Sequence, residues 1–271
     1  MLKINFEQTE KVVVGFIRDS IHKNNFKKGI VGVSGGLDSA VTLYLVQKAL
    51  GNKNTFALLL PYKLSSKDST EHAKLICEKL KVKYKIIEIS ESVDAYFNKY
   101  PTDIKTLIGN KCARERMSVL YDFSARERAL VVGTSNKSEL LIGYSTLYGD
   151  SAAAILPIGD LYKTEIFAFA SYLKIPKCII DKKPSADLWK NQTDEGEIGI
   201  TYKKLDEILY NLVDLRKRDI EIVKKGYSQE SINKIKNMII NSQYKRTMPT
   251  IAKLQNRTIG IDFRYPRDWN K

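Results

Sequence analysis

Nowhere does the sequence carry an apolar run approaching the roughly 18 to 20 residues that a membrane-spanning helix needs, and its start, MLKINFEQTEKVVVGF, lacks the basic-then-apolar order of a signal peptide. Both absences predict a soluble, cytoplasmic protein with no membrane partner. Cysteine is scarce. Cys77, Cys112 and Cys178 are odd in number, widely spaced and in no CxxC pair, which argues against a disulfide framework and a zinc site and for a reducing compartment. Histidine is scarcer still: His22 and His72 lie near no motif, which argues against a Ser-His-Asp or Cys-His hydrolase. There is no arginine-rich arm, no zinc finger, no internal repeat and no low-complexity tract, so dedicated nucleic-acid readers, solenoids and disordered arrays are disfavoured.

What is present suits one large α/β domain spanning 1–271, because 271 residues at 43% hydrophobic are short for two catalytic domains. With 45 Lys and Arg against 31 Asp and Glu, the net charge of +14 suggests polyanions nearby: nucleic acid, nucleotides or an anionic membrane. The charge does not choose among these. Its scatter through helical stretches such as 23–28 and 224–236 reads first as solvated surface.

Short β-branched runs alternate with amphipathic stretches, the pattern of a Rossmann-like parallel sheet with helices on both faces. Strands are expected at 29–33, 55–60, 83–89 and 129–132, and helices at 6–23, 39–50, 66–80, 110–124 and 164–173. Beyond Pro176 the pattern changes to a polar segment, two lysine-rich helices and a tail with Pro249 and Pro266, together a helical C-terminal appendage to the same domain.

The most informative run is Gly32-Val33-Ser34-Gly35-Gly36-Leu37-Asp38-Ser39, which joins a strand end to a helix start. Gly35 and Gly36 permit a tight turn whose amides face an anion, and Ser34 and Ser39 add hydroxyls. The run has neither the GK[ST] ending of a Walker A loop nor the third glycine of a dinucleotide fingerprint. Asp38 would repel a bare phosphate, but beside a magnesium ion it makes sense, because a hard dication takes oxygen ligands and neutralises pyrophosphate. A helix-capping turn would explain one residue of the run and not the whole. The run resembles the pyrophosphate-binding loop of the ATP pyrophosphatase group, whose members let a substrate oxygen attack the α-phosphorus of ATP and a nitrogen or sulfur nucleophile then displace AMP.

Four further segments bear on the member. GNKCARERM places Arg114 and Arg116 on different faces of one helix, so that one should point inward, although a surface ion pair with Glu115 or Glu127 is the plainer reading of such spacing. In VVGTSNKSELLIGYSTLYGD, Thr134 either caps the next helix or touches a nucleotide, and Glu139 with Asp38 supplies two carboxylates to one metal at the carboxyl edge of the sheet. Lys163, at a probable helix start after Asp160, is a poor partner for the helix dipole unless something anionic compensates it. Ser185, between Pro184 and Ala186, reads alone as turn chemistry.

Taken in order, the runs GNKCARERM, GTSNKSE, PIGDLYKTE and PSADLWKNQTDE look very much like NAD synthetase, over residues 32–269. The resemblance implies amidation of deamido-NAD to NAD through an adenylate, with ATP as co-substrate and Mg2+ as cofactor. It implies that the residues from Gly32 to Ser39, with Thr134, Lys163 and Ser185, hold ATP. Asp38 and Glu139 would ligate magnesium, Asp38 and Lys163 would act in catalysis, and Arg114 and Lys245 would contact deamido-NAD. It also implies a homodimer, with the dinucleotide near the subunit interface. The glutamine-dependent relatives carry an additional amidohydrolase domain that this length leaves no room for, which implies ammonia as donor, free or delivered by a separate glutaminase. The sequence departs from some relatives at Leu147 and Ala154, where they have a lysine and an aspartate; Asp150 is the candidate to take over part of that role. Two competing readings remain: an enzyme that adenylates tRNA, which lacks the cysteine pairs or added RNA-binding domain such enzymes carry, and a non-catalytic nucleotide-binding module, which the retained Asp38, Glu139 and Lys163 argue against.

Overall fold

Four short strands, β1 (Lys28–Gly32), β2 (Thr55–Leu59), β3 (Lys83–Ile86) and β4 (Ala129–Val132), pair in parallel in the order β3-β2-β1-β4. The computed structural model describes residues 4–185, 187 and 192–263; residues 186 and 188–191 of the PSADLWKNQTDE run and the tail holding Pro266 and Trp269 lie outside them. The intervening helices are α1 (Phe6–Lys23), α2 (Leu37–Leu50), α3 (Lys67–Lys79), α4 (Ser90–Lys99) and α5 (Lys105–Glu127), followed after β4 by α6 (Lys137–Ile142) and α7 (Lys163–Tyr172).

Alternate strand residues serve opposite layers, which is why the strands read as continuous apolar runs. Val31, Ala57, Leu59 and Val132 pack with Ile17 of α1, Leu43 of α2, Ile76 of α3 and Phe169 of α7. Ile30, Phe56, Leu58 and Val131 face the other way, onto Val93 of α4 and Cys112 of α5. At the β3 edge, exposed Lys83 and Lys85 blunt an otherwise pairable strand.

Among the described residues five more α-helices follow: α8 (Lys177–Ile180), α9 (Asp194–Ile198), α10 (Tyr202–Leu209), α11 (Asp219–Val223) and α12 (Gln229–Asn241). Leu205, Ile208, Ile232 and Ile235 form their own apolar centre, which takes in Ile142 of α6 and Tyr162 just before α7. The expectation of two helices here was too few, because α9 and α11 are five residues each, too short to show a periodic stripe. Helix α4 was also unexpected, and α5 begins five residues before the expected 110 and runs on to Glu127. The third strand stops at Ile86, short of 89, although Ile87 and Ile89 still donate to the Leu59 and Pro61 carbonyls at 2.9 and 3.0 Å.

The strand order places the site. From β1 the chain steps through β2 to β3 on one side, whereas β4 returns to the other side of β1. The connections leaving β1 and β4 therefore diverge at the carboxyl edge and leave a crevice there. Phe169 is fully buried in the larger core layer; Phe169→Ala should cost about 3–5 kcal/mol in urea denaturation, and a loss below about 1 kcal/mol would refute its placement.

Candidate functional site

After β1 the chain makes its glycine turn against the start of α3. Gly35 has φ +79°, and a Cβ added there would lie 2.0 Å from the Ser69 carbonyl oxygen, so only glycine fits. Ser39 Oγ donates to the Gly36 carbonyl at 2.9 Å, and the Ser34 and Gly36 amides donate to the Ser39 and Ser34 hydroxyls at 3.3 and 3.2 Å. The hydroxyls thus brace the turn in addition to facing the cavity. Gly36 caps α2 with no side chain, leaving the first amides of the 14-residue helix open to a bound anion.

After β4, Asn136 caps α6. Its Oδ1 accepts from the Glu139 amide at 3.0 Å, and Glu139 Oε2 accepts from the Asn136 amide at 3.3 Å. Of the two roles open to Thr134, capping therefore belongs to Asn136, and Thr134 lines the cavity. Asn136 Nδ2 also donates to Asp38 Oδ1 at 3.1 Å, tying the loop after β4 to α2.

Between these loops stands Lys163, the first residue of α7 and only 3% exposed. Its ammonium pairs with Asp38 Oδ2 and lies 3.5 Å from Glu139 Oε1, with the Tyr202 ring 5.3 Å away. The anion that the helix dipole calls for is thus the chain's own pair of carboxylates. Burial alone would lower the Lys163 pKa, but Asp38 and Glu139 outweigh it and hold the ammonium charged. Burial likewise raises Glu139, against the pull of Lys163. Asp206, fully buried on α10, fixes the start of α7: it accepts from the Thr164 amide at 2.8 Å and from Ser138 Oγ at 2.5 Å, and Ser138 Oγ accepts from the Lys163 amide at 2.9 Å.

Around this cluster opens a cavity of about 490 Å³, a size suited to a nucleotide. Of the residues singled out from sequence, Gly32, Val33, Ser34, Gly36, Leu37, Asp38, Ser39, Thr134, Glu139, Lys163, Ser185 and Lys245 line it, and Gly35 makes its turn. Ser185 Oγ accepts from the Asp187 amide at 3.0 Å, the local turn chemistry that its neighbours suggested. Lys245 Nζ donates to the Gly143 and Ser145 carbonyls at 2.8 and 2.7 Å and stands on a wall shared with an open groove along α12. Arg114 is not brought to the cavity. It is exposed on α5, with Nε donating to the Leu147 carbonyl at 3.3 Å; the arginine that turns inward is Arg116.

Sequence reasoning did not single out Asn136, Asp194 or Asp206, and it left open which arginine of α5 turns inward. Asn136 was findable, since Asn followed three residues later by Glu is a capping box. Asp194, which accepts from the Tyr144 and Tyr202 hydroxyls at 3.2 Å and lines the cavity, carried no signal beyond its run. Arg116 needed the phase of α5.

A parallel sheet covered on both faces, with a glycine turn, paired carboxylates and a buried lysine at its carboxyl edge, is the architecture of the α/β nucleotide-binding proteins. Residues 9–249 match the NAD synthase family, and the chain belongs to it. It is 48% identical, over 100% of its own length and 99% of the relative's, to the NH(3)-dependent NAD(+) synthetase of Trichlorobacter lovleyi. Among solved structures it resembles the NH3-dependent NAD synthetase of Campylobacter jejuni (TM-score 0.79, 36% identity, 92% of this chain and 100% of that one). It also resembles the NMN synthetase of Francisella tularensis (TM-score 0.82, 31% identity, 92% and 99%).

Lys163→Met would leave Asp38 and Glu139 adjacent with no cation, at an expected cost of about 3–5 kcal/mol near neutral pH. Without the ammonium the Glu139 carboxyl, already raised by burial, rises further above its unfolded value. The folded state then holds protons that the unfolded state has released, and stability falls as pH rises through that window. Urea titrations at about pH 6 and about pH 8 should show the smaller deficit at the lower pH; an equal deficit at both would refute the electrostatic account.

Proposed function

We propose that this chain, as a carbon-nitrogen ligase, catalyses the ATP-dependent amidation of deamido-NAD by ammonia, the last step of NAD biosynthesis, through an adenylate and with release of AMP and pyrophosphate. The observation that carries this reading is correspondence along the whole chain to an ammonia-dependent relative, joined to a cavity that gathers the glycine turn, Asp38, Glu139 and Lys163.

In this reading the turn amides and α2 start bind the ATP phosphates, with Thr134 and Ser185 on the nucleotide. The nicotinate carboxylate attacks the α-phosphorus, and Lys163 holds positive charge where negative charge grows on the departing pyrophosphate. Ammonia then attacks the acyl carbon and expels AMP, so the chain need supply no covalent nucleophile. Asp38 and Glu139 suit magnesium: two carboxylates already share one cation, and hard oxygen donors are what the ion takes. Among the described residues no group of three or more His, Cys, Asp and Glu gathers around a metal position, so phosphate and water oxygens would complete its shell. The ion, when bound, neutralises the triphosphate and stabilises the leaving pyrophosphate.

Arg114 and Lys245 contact deamido-NAD in this proposal, Arg114 across a homodimer. It lies on one stripe of α5 with exposed Leu107 and Tyr121, and exposed Tyr96 of α4, beside Tyr100 just after that helix, packs on Lys111 of α5; together these give an apolar surface that a second copy would cover. No helix among the described residues is long and apolar enough to cross a membrane, and with small soluble substrates a cytoplasmic location follows.

Incubation with ATP, magnesium, deamido-NAD and ammonium should give NAD and AMP in equal amounts, with glutamine unable to replace ammonium. Turnover only with the corresponding mononucleotide acid would move the substrate toward that of the Francisella relative, and AMP release only with tRNA would sink the assignment. Asp38→Asn and Glu139→Gln should each lower kcat by about 100-fold or more, in keeping with loss of one electrostatic group at a transition state, and should raise the magnesium concentration needed for half-maximal rate. An unchanged magnesium requirement would remove them as ligands.

A further inference from the structure

The inward arginine of α5 has no role in the reading above. Thr106, Asn110, Ala113, Arg116, Met117 and Leu120 recur at three-to-four spacing and all line the cavity, so they define the inner face of the helix. Arg116 is half-buried there. Its Nε donates to the Leu60 carbonyl at 3.0 Å, at the carboxyl end of β2, and Nη2 reaches Ser65 Oγ only at 3.5 Å. Among the described residues no carboxylate lies within 4.0 Å of its guanidinium. Burial pushes its pKa down, with Cys112, Asp187 and Asp150 opposing at longer range.

A cation taken from water without a counter-ion is costly to the fold. Lys163 meets that cost with two carboxylates, whereas among the described residues Arg116 has a carbonyl and a distant hydroxyl. The Leu60 bond fixes the plane of the fork through Nε and leaves Nη1 with no acceptor among the described residues. A guanidinium held in this way is preorganised for an oxyanion, which it can grip in a fixed plane as a lysine point charge cannot. It also stands on the α5 wall, whereas Lys163 enters from α7, so the two cations approach the cavity from different elements.

We propose that Arg116 is a second anion-binding residue of this site, engaging an anionic oxygen of the reacting pair, either the α-phosphate of ATP or the carboxylate or phosphates of the acid. This deepens the NAD synthase reading and rests on it for the identity of those groups. The expected consequence of removing the fork is a loss of about 10- to 100-fold in affinity for the group it grips, the scale of a charge-assisted hydrogen bond.

The experiment compares wild type, Arg116→Met and Arg116→Lys by isothermal titration with magnesium-ATP, by KM for deamido-NAD, by deamido-NAD-dependent exchange of labelled pyrophosphate into ATP, and by thermal unfolding. A weakened ATP Kd in Arg116→Met with an unshifted melting temperature assigns the phosphate. An unchanged ATP Kd with a raised KM for deamido-NAD and slowed exchange assigns the acid. Arg116→Lys should recover only part of the loss in either case. Unchanged ATP binding and unchanged KM together would overturn the proposal, as would a loss that only tracks a fall in melting temperature. If wild type makes no NAD, the functional reading fails on its own, and the ATP titration still decides whether Arg116 binds phosphate.

Discussion

The ammonium of Lys163 is held between Asp38 and Glu139, and three separate pieces of the fold meet at that contact. Asp38 opens α2 after β1, Glu139 belongs to the first turn of α6 after β4, and Lys163 begins α7. The two carboxylates come from the two connections that diverge at the sheet's carboxyl edge, so the ion pair bridges the crevice that the strand order creates. Its geometry is set from behind: Asn136 aligns Asp38 with α6, and Asp206 anchors the α7 start through the Thr164 amide and Ser138. The C-terminal helices therefore do more than decorate the domain. Through Asp206 and Tyr202 of α10 they hold the lysine where it is.

Charge accounting at this contact gives the site its character. Two carboxylates face one ammonium, and Asp194 adds a third acidic group whose pKa burial raises while Lys163 pulls it down. Burial raises the Glu139 pKa as well, so the apo site limits its own negative charge by holding protons. In the proposed function a metal-nucleotide complex would supply the cation that lets these carboxyls ionise beside a turn suited to anions.

How much of this was legible from sequence follows from which interactions are local. The first helix and the fourth strand fell where they were expected, because their apolar period is long or their flanks are sharp. The glycine turn was legible because a strand, two glycines and a helix start are contiguous. Arg114 and Arg116 were not separable, since they differ by about 200° around a helix whose start was placed five residues late, and the phase of a helix is known only once its covered face is known. The role of Asn136 hid for a different reason. Its cap is local and readable, but its bond to Asp38 spans 98 positions and exists only after β1 and β4 have become neighbours. Asp206 is the extreme case, a helical carboxylate in a lysine-rich stretch that ends fully buried.

The residues assigned to ATP line one cavity, with Gly35 making its turn, and of the two assigned to the acid Lys245 lines it as well while Arg114 does not. Lys245 is occupied with two backbone carbonyls, and Arg114 faces outward with Leu107 and Tyr121. Arg114 follows cavity-lining Asn110 by one helical turn and reaches the Leu147 carbonyl beside Thr146, so it stands on the flank of the α5 wall, open both to an acid that extends past the cavity and to a second surface. The exposed apolar residues around Arg114 favour the second course, because apolar side chains at a purely solvent-facing arginine site bring no benefit, whereas at a contact between two copies they supply the burial that holds it. In the proposed function a second copy would complete the acid site at Arg114, on the flank of α5, while Arg116 faces the cavity from the same helix.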